Sequence, residues 1–223
     1  MSNGIGVPVG QHRIVRGENG GHLNGSAVGG RRLIIGGRPE VDPVAAAEAA
    51  GALLRALGLD LTDENLAETP RRMAHALIEM TGEPAFEFTT FPNDEEYDEL
   101  VLVQDVAMQS LCEHHLLPFV GVAHIGYLPG RRILGLSKFA RMVEHHARRP
   151  QTQERLTKQI ADHLQRELAP KGVGVVIEAE HTCMSLRGAR SPGARTVTSA
   201  MFGDLRDDPR TRAEFLALTR SRQ

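Results

Sequence analysis

Apolar residues recur at helical spacing in the first part of the chain and at alternating, strand-like spacing further on. Asp42 and Pro43 form an N-cap and first-turn pair ahead of VAAAEAAGALLRALG, which predicts a helix that stops at Gly58. Thr69 and Pro70 repeat the device before Met73, Leu77 and Met80, so residues 41–98 read as a helical layer and an acidic connector, the latter between Glu83 and Glu99. The period then changes. LVLVQDVAMQSL and FVGVAHIGYLPG predict two strands, the second closed by a Pro-Gly turn. Two helices follow, one from Ser137 with Phe139, Met142, Val143 and His146 on one side, the other from about Gln151 with Leu156, Ile160, Leu164 and Leu168. GVGVVIEAEHTC and ARTVTSAMFG supply two more strands, and Asp208 and Pro209 open a last short helix. This order predicts an α+β fold over residues 99–223, an antiparallel sheet with helices on one face.

Composition narrows the function. The 223 residues suit one domain, and residues 1–40, rich in glycine, read as a disordered tail carrying one apolar patch, RRLIIGG. A formal net charge of -2 gives no global attraction to nucleic acid or membrane. No apolar run spans a bilayer and no signal peptide opens the chain, so a cytoplasmic protein is expected. Its two cysteines, Cys112 and Cys183, are then expected to stay reduced.

Both cysteines keep company with histidine: Cys112 precedes His114 and His115, and His181 precedes Cys183. Zinc takes such ligands, and a catalytic zinc keeps one position open beside three protein groups. On a strand, His181 and Cys183 would face the same way. At the first cluster the spacing leaves a choice, since an extended chain pairs Cys112 with His114 and a turn pairs it with His115. Catalytic zinc, structural zinc and buried thiols without metal all fit these residues.

Between the clusters, Ser137 is a natural N-cap, with Lys138 and Arg141 close behind, so a helix N-terminus and two cations can converge on an anion. A solvated helix face fits the same charges. Arg187 follows Cys183 closely and offers a bidentate anion contact; Glu154 offers a carboxylate that can accept from the paired N-H donors of guanine. His145 and His146 fall at a helix C-terminus, where positive charge is welcome, and His124 reads as a packed histidine.

CEHHLLPFVG, GLSKFARMVE, QTQERLT, HTCMSLRG and RTVTSAMFG occur in an order and spacing that resemble GTP cyclohydrolase I, from about residue 42 to the C-terminus. The resemblance implies a tunnelling fold of ββααββ order and a toroidal homodecamer with active sites between subunits. It implies zinc on Cys112, His115 and Cys183, with His114 and His181 moving protons. Gln153 and Glu154 would bind the purine of GTP; Ser137, Lys138, Arg141 and Arg187, with Arg72 from the helical layer, would bind its triphosphate. The implied reaction turns GTP and water into 7,8-dihydroneopterin triphosphate and formate, the first step of tetrahydrofolate and pterin biosynthesis.

Overall fold

A computed structural model describes residues 31–35 and 40–220. Helices α1 (Pro43–Ala56) and α2 (Thr69–Thr81) form the first layer. Strands β1 (Arg31–Ile35), β2 (Phe86–Pro92) and β5 (Arg132–Leu134) make a small sheet in the order β1-β2-β5. A larger sheet has the order β6-β3-β4-β7-β8, from β3 (Val101–Cys112), β4 (Pro118–Leu128), β6 (Pro150–Gln151), β7 (Gly172–His181) and β8 (Arg195–Gly203). Its four long strands are antiparallel; only the β3–β6 pairing is parallel. Helices α3 (Ser137–Ala147) and α4 (Gln153–Leu168) lie between β5 and β7 in sequence, which gives the ββααββ order. Short turns α5 (Thr182–Ser185) and α6 (Asp204–Asp207), then α7 (Pro209–Thr219), complete the chain.

The periodicities explain the core. Ala123, Ile125 and Tyr127 of β4 alternate onto the same face as Val173, Val175 and Ile177 of β7, and Phe139, Met142, Leu156, Ile160 and Leu164 of the two helices close over them in one buried cluster. Each such side chain removed from water contributes about 1.5–3 kcal/mol. On the opposite face Phe215 of α7 packs over the paired Gly126 and Gly174, where an added Cβ would come within 2.9 and 2.8 Å of its ring.

Several expectations change. Asp42 does cap α1, its Oδ1 accepting from Val44 N and Ala45 N at 3.0 Å, and the chain leaves the helix through Gly58 at φ 84°. Thr69 does not cap α2; the cap position is Glu68 and no side chain bonds there. The supposed connector contains β2, whose Phe86, Phe88 and Thr90 alternate inward. Part of the glycine-rich arm, Arg31–Ile35, pairs antiparallel with β2; the rest of that arm, residues 1–30 and 36–39, lies outside the described residues.

Against Phe86 and Phe88 sits a histidine cluster. His146 Nε2 and His163 Nδ1 are 2.8 Å apart, while His145 contacts the Pro84 carbonyl at 2.8 Å and the Glu83 carboxylate at 3.0 Å. Nδ1 of His146 and Nε2 of His163 are buried without a partner among the described residues. Burial, then the charges of His163, His145, Arg149 and Arg166, holds His146 well below the ordinary histidine range. Burial, then Arg166 and His145, pulls His163 down to about 3. The folded protein therefore refuses protons that the unfolded chain accepts below about pH 6.5. Stability is complete above that value and lost as pH falls toward the folded pKa values, by at most about 1.4 kcal/mol per pH unit per histidine. The urea midpoint is expected to drop between pH 7 and pH 5, above the range where ordinary carboxylates titrate. The double variant His146→Leu/His163→Leu should flatten the drop, and an equally steep profile in that variant would refute the assignment.

Candidate active site

Cys112 ends β3, buried, and the chain reverses directly after it. Cys112 N donates to Leu117 O at 2.8 Å, and His115 N and Leu116 N donate back to Cys112 O at 3.3 and 2.8 Å. Leu116 closes the turn at φ 52°. The turn brings one ligand atom each from Cys112, His115 and Cys183 within 4.8 Å of one another. His114 Nδ1 is as near to Cys112 Sγ as His115 Nδ1 is, 3.8 Å in both cases, yet His114 falls outside this three-residue group.

Cys183 reaches the group by a route different from the one its spacing suggests. Strand β7 stops at His181, and Cys183 lies in the helical turn α5, so the two do not share a strand face. Thr182 Oγ1 fixes that turn by donating to Pro118 O at 2.6 Å, across the start of β4. Burial raises the Cys183 thiol, as do hydrogen bonding and charge from Cys112, while Arg187 works weakly in the other direction. Two sulfurs crowded together beside an imidazole suit a divalent cation that would neutralise both as thiolates. The donor set fits a soft or borderline metal, and partly exposed Cys183 and exposed His115 leave the group open to solvent.

His181 is held from two sides. Its ring stacks on Phe119, centroids 4.4 Å apart and planes 2° apart, because β4 and β7 pair these residues in register. Its Nε2 lies 2.8 Å from Gln153 Oε1. Gln153 is buried, and its amide nitrogen donates to Ile177 O at 3.0 Å and Thr196 O at 2.9 Å. That orientation makes Oε1 an acceptor, so His181 Nε2 carries the proton and Nδ1 is the ring atom left for exchange. Burial lowers the His181 pKa, and the nearby Glu154 carboxylate partly opposes it. Glu154, exposed in the first turn of α4, lines a cavity of about 590 Å³ with Lys158, Thr198, Phe202, Arg206 and Arg212.

Cys112, His114, His115, Cys183 and Arg187 are thus linked by contact or by charge, as are Gln153, Glu154 and His181, and the two sets are joined by the short stretch of chain from His181 to Cys183. The remaining candidates are elsewhere in this chain. Ser110 Oγ donates to Ala147 O at 2.6 Å, which sets the C-terminal end of α3 beside Cys112. Ser137, at the other end of that helix, is therefore roughly 15 Å further along at about 1.5 Å per residue, with Lys138 and Arg141 near it. Ser137 is not the N-cap; Leu136 holds that position in helical conformation and no side chain bonds there. The reason is a tight turn in which Lys138 N and Phe139 N already donate to Gly135 O and Leu136 O, while Gly135 N is tied to Thr89 O. Fewer free amides remain for an anion than an N-cap reading supposes. Arg72 is exposed on α2, and no contact among the described residues joins it to the metal group. Phe119 and the pairing of Glu113 with Arg155 escape sequence reasoning, since only strand register and loop packing reveal them.

The profile of the GTP cyclohydrolase I family matches residues 46–220. A protein of Hydrogenobaculum sp. (strain Y04AAS1) named GTP cyclohydrolase 1 is 52% identical over 167 residues, covering 75% of this chain and 92% of the relative. One of the same name from Aquifex aeolicus (strain VF5) is 52% identical over 173 residues, covering 78% and 94%. The Rattus norvegicus protein of that name is 51% identical over 179 residues, covering 78% and 74%.

Proposed function

The chain belongs to the GTP cyclohydrolase I family, and we propose on that premise how its own residues carry the activity. It is a GTP cyclohydrolase of pterin and folate biosynthesis, converting GTP and water to 7,8-dihydroneopterin triphosphate and formate. The observation that carries the reading is the convergence of Cys112, His115 and Cys183 beside the Gln153–His181–Glu154 group.

Zinc is the metal in this reading, held by Cys112, His115 and Cys183; when bound, it supplies Lewis acidity that brings the ionisation of water toward neutral pH. The reducing cytoplasm expected from the sequence keeps both thiols available. His181, its Nε2 proton held by Gln153, takes up at Nδ1 the proton that the attacking water loses and passes it to N7 as the imidazole ring of guanine opens, with Gln153 and Phe119 fixing its tautomer and tilt. His114, exposed and next to the metal group, serves the later proton transfers in which the ribose opens, rearranges and recloses. Glu154 accepts from the guanine pairing edge; Gln153 acts on the purine pocket through His181.

Ser137, Lys138, Arg141, Arg187 and Arg72 take the triphosphate. Since the α3 cations stand far from the metal group in one chain, the reading places the active site between copies of a toroidal homodecamer. Catalysis belongs to residues 99–223, with 41–98 as the helical layer.

Incubating the zinc-loaded full-length protein with GTP should release formate and a product that oxidises to fluorescent neopterin in equal amounts; absence of both would end the reading. Glu154→Gln replaces one acceptor oxygen with a donor that meets guanine's N-H groups head-on. It should raise KM for GTP by roughly ten- to a hundredfold, about 1.4–2.7 kcal/mol, while a competing ATP binds no more weakly than before. An unchanged preference for GTP over ATP would remove Glu154 from guanine recognition.

A further inference from the structure

The turn that carries Glu113, His114 and His115 has few contacts of its own, being exposed along that stretch. It is nevertheless tied to one specific place. Glu113 N donates to Gln151 O at 3.0 Å, extending the short parallel pairing of Cys112 with Gln151. The Glu113 carboxylate receives Nη2 of Arg155, and the same nitrogen donates to Pro150 O at 2.9 Å. Arg155 Nε donates to Gln151 Oε1 at 2.7 Å. Gln151 is itself buried, its amide nitrogen donating to His146 O and Gln159 Oε1, both at 2.8 Å.

One guanidinium therefore holds three acceptors in its planar fork, which a lysine could not reproduce. A half-exposed ion pair alone would contribute little. Here the pair is anchored on a buried amide and a backbone carbonyl, so its geometry is fixed by the fold. Arg155 also neighbours Glu154 and follows Gln153 by two residues, on the first turn of α4. The strap thus joins the turn bearing His114 and His115 to the turn bearing the purine-facing residues.

We propose that Arg155, acting through Glu113, is a positioning residue that sets the metal turn in register with the base-recognition turn. The proposal rests on the metal and purine roles assigned above. Neither residue touches the metal group or the reacting atoms, so its effect is on alignment and metal retention.

Zinc-loaded full-length protein and the variants Glu113→Gln, Arg155→Met and their combination test it. Glu113→Gln is nearly isosteric at an exposed site and keeps the fold. Each single variant should release zinc to a colorimetric chelator about ten- to a hundredfold faster and lower kcat by a similar factor, with KM for GTP within about twofold. The combination should be no worse than Arg155→Met within about twofold, because Arg155→Met already removes the contact between the two side chains. Zinc release and kcat of Glu113→Gln within about twofold of the parent overturn the proposal, as does a combination whose losses multiply. Should the parent protein itself fail to turn over GTP, the functional reading falls while zinc release still decides the strap.

Discussion

Cys183→Ser is expected to lose zinc and turnover together. The sulfur belongs to a three-atom group spanning no more than 4.8 Å, and the serine hydroxyl that replaces it stays protonated at neutral pH and is a poor zinc ligand. Two ligands, Cys112 and His115, would remain on one turn, with nothing from the β7–α5 side. Zinc content should fall from about one ion per chain to a trace, since a site of this kind needs at least three protein groups. GTP turnover should fall by about 10⁴-fold or more, because water away from a metal ionises only far above neutral pH and supplies almost no hydroxide there. The fold should survive, as Cys183 is only partly buried and its turn is held by Thr182 on Pro118. Stoichiometric zinc in this variant would show that Cys183 is not a ligand.

His114→Ala is expected to separate the two properties that Cys183→Ser removes together. His114 lies 3.8 Å from Cys112 Sγ but outside the three-residue group, and its ring is exposed. Zinc content should therefore stay near one per chain while kcat falls by about 10²–10⁴-fold, the range set by losing a positioned acid or base. Formate release and neopterin formation, followed separately, should divide in this variant, with ring opening less impaired than recyclisation. Loss of the metal instead would mean that His114, not His115, completes the ligand set.

These expectations could be framed from the sequence because the residues involved sit in short motifs whose chemistry is local. The long elements were legible for a related reason: Ile125 and Tyr127 alternate as a half-buried strand requires, and Leu156, Ile160 and Leu164 recur at helical spacing. Strand β2 was hidden by its acidic surroundings and flanking prolines, although Phe86, Phe88 and Thr90 carry the alternating pattern. The two-residue strand β6 has too little sequence to carry any period.

Site geometry was legible only where spacing determines it. Whether Cys112 pairs with His114 or His115 turns on the bonds that return His115 N and Leu116 N to Cys112 O, which no spacing specifies. The helical turn at Cys183 depends on a hydroxyl reaching Pro118 O, sixty-four positions away. Ser137 had the composition of a cap, but the bonds from Lys138 N to Gly135 O and from Gly135 N to Thr89 O moved the cap to Leu136. In each case a partner distant in sequence or a tight local turn overrode the residue's own preference.

X-ray absorption at the zinc edge of the metal-loaded protein tests the ligand set most directly. Two sulfurs at about 2.3 Å and two nitrogen or oxygen neighbours at about 2.0–2.2 Å are expected, only one of the latter pair with the outer scattering of an imidazole ring. A spectrum with fewer than two sulfurs, or with two imidazoles and no solvent position, would contradict the site described by Cys112, His115 and Cys183.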